Sequence, residues 1–339
     1  MMRETSEPDN VSRGTAASLS EQQQERRELL LERGWSALPQ NYRIPATPPT
    51  LEQARAWCRQ LAESHYENFH VATWFLPKDL RPHFHAIYAY CRVSDDIGDE
   101  VLDPEQALAL LDLWACELDD CYVGRTRHPV FVALAETIRE CSIPKEPFAD
   151  LLVAFRQDQT VNRFNTMADV LAYCRYSANP VGRLVLYVCG EHGEENIRLS
   201  DATCTALQLA NFWQDVSRDF AKGRIYIPQK DMESFGVTEE YIGDGVVTPG
   251  FRALMRCEVE YARNLFEEGL PLIGQVNRDL AIELDLFSRG GLEILRAIER
   301  QGYDVLGKRP AISKATKLAL LLRAVSGKFL PFLRLGHMS

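Results

Sequence analysis

The sequence predicts an all-α protein built around one large helical domain. Apolar residues recur at spacings of three and four in nearly every segment after residue 50, which is the pattern of amphipathic helices. No alternating pattern longer than a few residues indicates a β-strand, and no internal repeat indicates a solenoid. A chain of 339 residues, 46% of them hydrophobic, is enough for a sizeable core. We therefore expect residues 51–335 to pack as a single bundle.

The first 50 residues are rich in Ser, Glu and Gln and end in the proline-punctuated stretch LPQNYRIPATPPT. This composition predicts a mobile N-terminal tail over residues 1–50, with at most a short helix in SEQQQERRELLLERG. The first residues lack the apolar core of a secretory signal. Nine cysteines without a CxxC spacing indicate reduced thiols. We expect a cytoplasmic protein.

Helices are predicted in order along the rest of the chain. Thr50 is placed to cap the first of them, and Pro82 stands near the start of the second. Pro180 and Gly182 are poor helix-interior residues and indicate a bend or a boundary. The predicted helices are TLEQARAWCRQLAESHY, KDLRPHFHAIYAYCRVSDDIGDE, PEQALALLDLWACELDDCY, VFVALAETIRECS, PFADLLVAFRQDQ, MADVLAYCRYSA, DATCTALQLANFWQDVSRDF, GFRALMRCEVEYARNLFEEGL and LAIELDLFSRGGLEILRAIER.

An acidic cluster, SDDIGDE, ends the second of these helices. Residues three and four apart share one face of a helix. One stripe therefore contains Phe84, Tyr88, Cys91, Asp95 and Asp99. The stripe changes from apolar to anionic partway along its length, which is unusual for a face that points into a bundle.

The stretch LQLANFWQDVSRDF repeats this arrangement. Asn211, Asp215 and Asp219 are spaced i, i+4 and i+8, so they point the same way on a helix, and Leu207 precedes them on the same line. An apolar row again becomes a row of oxygen donors.

Buried carboxylates repel one another unless cations pair with them. The donors include no His or Cys, so they suit a hard cation such as Mg²⁺, which binds one or two carboxylates and takes substrate phosphate oxygens as further ligands. The two motifs therefore predict a site where Mg²⁺ joins a diphosphate to two acidic helices. Each motif alone also fits a solvated helix face, whereas their joint presence in an all-α chain favours the metal site.

Both motifs resemble those of the squalene/phytoene synthase family, and the resemblance covers essentially residues 51–335. It implies the isoprenoid-synthase helical bundle with a central apolar cavity, and a prenyl diphosphate substrate. The segment GRIYIP, at 223–228, is similar to the family's segment after the second motif. The metal ligands that the resemblance implies are Asp95, Asp99, Asn211, Asp215 and Asp219.

Three stretches resemble the hydroxysqualene synthases of bacterial hopanoid biosynthesis within that family. They are HYENFHVATWFLP (65–77), YCRYSANPVGRLVL (173–186) and ANFWQDVSRD (210–219). The resemblance implies a Mg²⁺-dependent lyase-type reaction, in which presqualene diphosphate loses diphosphate and captures water to give hydroxysqualene. Many family members have Ser at the position of Asn68 and Arg at the position of Gln214. The missing arginine puts one diphosphate contact in doubt.

The resemblance also implies roles for individual side chains. Arg92 and Arg224 would hold the leaving diphosphate through charge-assisted hydrogen bonds, and Tyr88 and Tyr226 would line the reacting centre. Further residues expected to bind substrate are His65, Asn68, Phe69, Val181, Gly182, Gln208, Phe212 and Gln214. The aromatic residues in this set would also fit a plain core, and a lone histidine a structural role.

Residues 305–339 contain seven Lys or Arg and no acid, interleaved with LALLL and FLPFL. This segment predicts peripheral contact with an anionic membrane surface, such as the inner membrane. A final helix with a solvated basic face fits the same pattern. No apolar run reaches the roughly 18 residues of a membrane-spanning helix. The formal net charge of −10 argues against a nucleic-acid partner.

Three other functions remain open. The chain could run another family reaction, namely the synthesis of presqualene diphosphate, of squalene with NADPH, or of phytoene. A terpene cyclase shares the spacing of the second motif but usually has Ser or Thr and then Glu where this chain has Asp215 and Asp219. A non-catalytic assembly protein with the same fold would be expected to lose metal ligands, and all five are retained.

Overall fold

The computed structural model describes residues 21–64 and 77–329, and within these ranges the chain is helical and contains no β-strand. Short 3₁₀-helices span Gln40–Tyr42 and Leu270–Gly274. The α-helices are α1 (Glu21–Ala37), α2 (Leu51–Ser64), α3 (Arg81–Glu100), α4 (Pro104–Tyr122), α5 (Pro129–Cys141), α6 (Glu146–Gln157), α7 (Met167–Ser177), α8 (Asn179–Val188), α9 (Glu194–Ala221), α10 (Gln229–Ser234), α11 (Glu239–Gly243), α12 (Pro249–Gly269), α13 (Arg278–Arg300) and α14 (Lys314–Phe329). The all-α prediction is confirmed.

Local sequence signals explain where several helices begin. Thr50 and Gln53 each donate a backbone N–H to the other's side chain, at 2.9 and 3.3 Å, and this capping box confirms Thr50 as the cap of α2. Pro82 lies in the first turn of α3, where a backbone N–H has no helical partner anyway. Thr166 and Asp169 form a second capping box at the start of α7.

The predicted interruption at SANPVGR is a helix boundary. α7 and α8 meet at Ala178, and Pro180 lies in the first turn of α8. Gly182 allows α8 to pack closely on α9, because a β-carbon at this position would overlap Ser200 Oγ and Cys204 Sγ. The boundary therefore positions α8 against the helix that carries the second acidic motif.

The buried core has two main parts. The first joins α2 to α6 around fully buried rings that include Tyr90, Trp114 and Phe131. The second packs α9 against α12 and α13, around Trp213 and Phe266. Because α9 also packs on α8, this long helix is held along much of its length. Its polar face is thus fixed in position by the apolar face behind it.

The structure differs from the predicted mobile tail over residues 21–50. α1 packs against α4, and Trp35, Leu38 and Tyr42 are buried in the first part of the core. The composition misleads here because polar residues outnumber apolar ones in α1. A few large side chains at the right spacing are enough to bury the segment's inner face.

Some sequence predictions fall outside the described ranges, at residues 1–20, 65–76 and 330–339. The C-terminal limit of the single domain, residue 335, therefore stays a prediction. Among the helices that the structure describes, none combines the length and the hydropathy needed to cross a bilayer.

Candidate active site

The first acidic motif lies at the C-terminal end of α3. Asp95 is partly exposed and Asp99 is exposed, whereas Asp96 is buried on another face of the helix. The Asp96 carboxylate accepts a hydrogen bond of 2.6 Å from Tyr42 Oη and pairs with Arg92. Arg92 Nη1 also lies 3.4 Å from Asp95 Oδ2. Asp96 therefore anchors α3, while Asp95 and Asp99 remain on the face that the sequence predicted.

The second acidic motif occupies the last turns of α9. Asn211 is exposed, and Asp215 and Asp219 are partly buried. Asp215 is paired at both oxygens, because Arg309 donates hydrogen bonds of 2.6 Å from Nε to Oδ1 and 2.7 Å from Nη2 to Oδ2. Arg309 comes from the loop between α13 and α14. In the sequence, Arg309 is one of the seven basic residues of the segment 305–339.

Arg224 connects the two acidic helices. Gly223, with φ of 79°, reverses the chain just after α9, and Arg163 donates a hydrogen bond of 2.6 Å to its carbonyl oxygen. Arg224 Nη2 then lies 3.7 Å from Asp99 Oδ1 on α3. It also interacts electrostatically with Asp219 on α9. One guanidinium thus faces carboxylates of both motifs, so the two acidic rows are neighbours in the fold.

Burial and mutual repulsion raise the pKa values of carboxyl groups in both motifs. Burial, followed by the charge of Asp99, raises the pKa of Asp95 to about 6. Burial, followed by the charge of Asp215, raises the pKa of Asp219 to about 6. Each shift means that the ionised carboxylate is destabilised where it stands. A cation bound between the helices would relieve this destabilisation.

An aromatic cluster lies beside the acidic residues. The rings of Phe212 and Tyr226 are stacked, with centroids 3.7 Å apart and planes at 6°. Phe164 and Tyr173 pack against Tyr226 with centroid distances of 5.5 and 5.9 Å. Phe212 and Tyr226 line a pocket to which Arg224 also contributes. Charged groups and an apolar wall therefore meet in one pocket.

The donor set fits a hard divalent cation. Each predicted ligand offers oxygen, and the partly buried carboxylates carry negative charge that a cation would neutralise. Among the described residues, no three His, Cys, Asp or Glu side chains already form a metal-binding cluster. Arg92, Arg224 and Arg309 each pair with a motif carboxylate. The residues match the chemistry of Mg²⁺ binding without forming a closed cage.

Asp158 belongs to this site, although no sequence pattern indicated it. It follows α6, and its Oδ2 accepts a hydrogen bond of 3.1 Å from Tyr173 Oη. Burial raises the pKa of Asp158 to about 6; the Tyr173 hydrogen bond and the charge of Arg224 act against this rise, and the charge of Asp99 adds to it. A single acid in FRQDQ has no acidic partner at helical spacing, so only the tertiary structure reveals its place.

Other predicted site residues lie on the same helices as the motifs. Tyr88 is one turn before Arg92 on α3, and its pKa is raised mainly by burial. Gln208 is partly buried on α9, one turn before Asn211. Gln214 is buried and turned out of the carboxylate row. These positions bring Tyr88 and Gln208 into line with the motifs, whereas the contacts of Gln214 lie with the C-terminal loop.

Two predicted residues on α8 are placed differently. Gly182 faces α9, so the role that the structure gives it is close helix packing. Val181 is 43% exposed. The predicted residues His65, Asn68 and Phe69 lie outside the described ranges.

Comparison with known proteins gives consistent matches over most of the chain. A family model described as squalene/phytoene synthase matches residues 62–316. The 15-cis-phytoene synthase of Synechococcus elongatus is 30% identical over 294 residues, which cover 82% of this chain and 96% of that protein. The crystal structure of squalene synthase HpnC from Alicyclobacillus acidocaldarius is 45% identical with a TM-score of 0.73, and covers 80% of this chain and 99% of its own. A dehydrosqualene synthase crystallised with a ligand is 26% identical with a TM-score of 0.73, over 81% and 96% of the two chains.

Proposed function

Because the chain belongs to the squalene/phytoene synthase family, we propose that it converts presqualene diphosphate into hydroxysqualene, with release of diphosphate and capture of one water molecule. Its class as an isoprenoid synthase, acting on a prenyl diphosphate, follows from the family. The narrower reaction rests on the resemblances at 65–77, 173–186 and 210–219. The 45% identical crystal structure is that of a squalene synthase, which supports a reaction on squalene precursors. The proposed cofactor is Mg²⁺, and the proposed location is the cytoplasm.

One observation carries this proposal. Arg224 interacts with carboxylates on both acidic helices and lines the same pocket as the stacked rings of Phe212 and Tyr226. An ionising prenyl diphosphate needs this combination, because its head must be neutralised while its chain and cation stay out of water. A solvated acidic helix face would have no such aromatic wall beside it.

The residues of the pocket suit the departure of diphosphate. The five motif residues would hold Mg²⁺, which as a Lewis acid neutralises the leaving group. Arg92 pairs with Asp95 and Arg224 pairs with Asp99, and both arginines would donate charge-assisted hydrogen bonds to diphosphate oxygens. Arginine suits this role because its planar fork can bind two oxygens at once.

The aromatic wall suits the cation that remains after diphosphate leaves. The faces of Phe212 and Tyr226 would stabilise positive charge on the carbon skeleton and keep bulk water away while the skeleton rearranges. The hydrogen bond between Tyr173 and Asp158 lies at the edge of this wall. These polar atoms would hold the water molecule that captures the cation at the end of the reaction.

Incubation of the purified protein with presqualene diphosphate and Mg²⁺ tests the proposal. Without NADPH, mass spectrometry should detect hydroxysqualene and released diphosphate, and EDTA should abolish both. A chain that leaves presqualene diphosphate unchanged, but condenses prenyl diphosphates into it, would contradict the proposal.

Synthesis of squalene or phytoene is the second candidate function. It is favoured by the names of the matched relatives, since a phytoene synthase is 30% identical over 96% of its own length. Farnesyl diphosphate with NADPH should yield squalene, or geranylgeranyl diphosphate should yield phytoene, if this alternative holds. An inert result with all three substrates would favour a non-catalytic assembly protein.

We also propose peripheral contact of the C-terminal segment with an anionic membrane. Leu318 and Leu322 on α14 are 56% and 59% exposed, next to the exposed Lys314 and Lys317. Vesicles that contain phosphatidylglycerol should co-sediment the protein, and neutral phosphatidylcholine vesicles should not. The double change Leu318→Ser and Leu322→Ser should weaken sedimentation. Equal binding of both proteins to both vesicles would exclude this contact.

A further inference from the structure

The loop between α13 and α14 is firmly attached to the bundle. Val305 is fully buried and Leu306 is 9% exposed in the second part of the core. Gln301 Nε2 donates hydrogen bonds of 2.9 Å to the carbonyl oxygens of Asp304 and Lys308. The loop therefore has a defined course up to the point where it reaches α9.

Gln214 fastens this loop to the second acidic motif. Its side chain is 4% exposed, and both ends of its amide are used. Nε2 donates a hydrogen bond of 2.6 Å to the carbonyl oxygen of Pro310, and Oε1 accepts one of 2.9 Å from Arg309 Nη2. A carboxamide can donate to a carbonyl and accept from a guanidinium at the same time. An arginine at position 214 could not accept from Arg309 and would repel it.

Arg309 in turn engages both carboxylate oxygens of Asp215. The bonds of 2.6 and 2.7 Å make a bidentate pair, the strongest arrangement for arginine and a carboxylate. A second arginine, Arg218, lies 3.6 Å from Oδ1 of Asp215 but is mostly exposed. A divalent cation that binds Asp215 would use the same oxygens, so it would compete with Arg309.

We propose that Gln214 is a positioning residue that sets Arg309 on Asp215, and that divalent-cation binding at Asp215 therefore controls how tightly the segment Lys308–Pro310 is held to α9. This inference rests on the proposed function, because it takes Asp215 as a metal ligand. It explains why this chain has a glutamine directly before the motif aspartate.

The coupling has a consequence for α14. Three residues separate Pro310 from the first residue of that helix. α14 also packs on α13, where Arg323 pairs with Asp285 at 3.2 Å. Loosening of the segment at Pro310 would leave α14 held chiefly by its packing on α13 within the described part of the chain. Cation binding and the position of the basic helix are thereby linked.

Titration of the full-length protein with MgCl₂, followed by calorimetry, measures the competition directly. Arg309→Gln removes the competing guanidinium, and Gln214→Leu removes the side chain that positions it. Each variant should therefore bind Mg²⁺ about three- to tenfold more tightly. Asp215→Asn should weaken it. Arg323→Gln is the matched control, since it removes an arginine of the same region whose partner is Asp285, and it should leave the Mg²⁺ affinity unchanged.

Hydrogen exchange supplies a readout independent of turnover. In the wild-type protein, MgCl₂ should speed amide exchange in residues 305–313. In Gln214→Leu, exchange there should already be fast and should not respond to MgCl₂. A second variant, Arg309→Gln, covers the case in which the buried change at 214 impairs folding.

The outcomes separate this inference from the proposed function. Unchanged Mg²⁺ affinity in both Arg309→Gln and Gln214→Leu would overturn the inference alone, because cation and arginine would then share Asp215 without competing. Unchanged exchange in residues 305–313 on addition of MgCl₂ would also overturn it. Absence of any Mg²⁺ effect that depends on Asp215 would overturn the metal assignment itself, and the inference with it.

Discussion

Arginine side chains balance the carboxylates of the site individually. Arg92 contacts Asp95, and Arg224 contacts Asp99 across the gap between helices. Such pairing allows several acids to lie close together in a partly buried site, because each negative charge has a positive partner. A metal ligand can therefore be distinguished from an acid that contributes only charge by removing the charge at each position in turn.

Asp99→Asn should lower turnover on the order of 100-fold, because a neutral amide is a weaker ligand for a divalent cation. Glu100→Gln removes the same charge from the adjacent exposed residue and should keep turnover within about twofold. Steady-state kinetics with presqualene diphosphate at saturating Mg²⁺ measures both, and thermal melting checks that both variants fold. Equal losses in the two variants would contradict the role of Asp99.

Glu258 should make the stability of the fold depend on pH. It is 3% exposed on α12, and burial, with a smaller contribution from the charge of Asp231, raises its pKa from 4.5 to about 8. Between these values the folded protein retains a proton that the unfolded chain has lost. The free energy of unfolding should therefore fall as pH rises through this window, by up to about 1.4 kcal/mol per pH unit.

Urea denaturation between about pH 5 and pH 8 tests this dependence. Glu258→Gln should flatten the decline, because glutamine does not titrate. Glu260→Gln, at an exposed position on the same helix, should leave the decline as in the wild type. A decline in Glu258→Gln as steep as in the wild type would show that Glu258 is ionised in the fold.

At the scale of helices, the position of the site depends on how α8 packs against α9. The glycine at 182 permits a close approach, and the second acidic motif lies further along α9. A side chain inserted at this contact would push α8 away from α9. We expect such a change to lower the free energy of unfolding more than it lowers turnover.

Gly182→Ala should destabilise the fold by about 1 to 3 kcal/mol, because the added β-carbon meets Ser200 and Cys204 in a packed interface. Gly290→Ala is the matched control, since a β-carbon at this position in α13 meets nothing within 4 Å. It should stabilise the helix by about 0.5 to 1 kcal/mol. Thermal melting compares them; a Gly182→Ala variant as stable as the wild type would contradict the close packing.

The helices that carry the motifs could be predicted from the sequence because their pattern is local. The apolar stripe through Phe84 and Tyr88 continues into Asp95 and Asp99 at one period, and the same holds for α9. Site residues that reach the motifs from distant parts of the chain could not be predicted in this way, because no local pattern marks them. Asp158 stands alone in its segment, and Arg309 reaches Asp215 from 94 positions further along the chain.

At the scale of the whole molecule, the folded body begins before residue 51. α1 and the turn at Gln40–Tyr42 add Trp35, Leu38 and Tyr42 to the first part of the core. Sequence composition averages over such a segment, whereas burial is decided by three particular side chains. The boundary between tail and body was therefore beyond what composition alone could predict.

Trp35→Ala should destabilise the protein by about 3 to 5 kcal/mol, because a large ring that is 7% exposed would leave a cavity. Leu29→Ala, on the same helix but 50% exposed, should change the stability by less than about 0.5 kcal/mol. Urea denaturation of the full-length chain measures both. A Trp35→Ala protein that unfolds at the wild-type urea concentration would indicate that α1 does not contribute to the stable body.

The buried Asp96 of SDDIGDE affects how an alanine scan of this motif should be interpreted. Asp96 accepts a hydrogen bond from Tyr42 and pairs with Arg92, so its loss would free the arginine that we propose binds diphosphate and would weaken the packing of Tyr42 in the core. An Asp96→Ala variant would then show reduced turnover, and Asp96 could be mistaken for a magnesium ligand. Tyr42→Phe removes the hydrogen bond to Asp96 and leaves every carboxylate in place. A partial loss of turnover in this variant would show that Asp96 acts by holding the structure and is not a metal ligand.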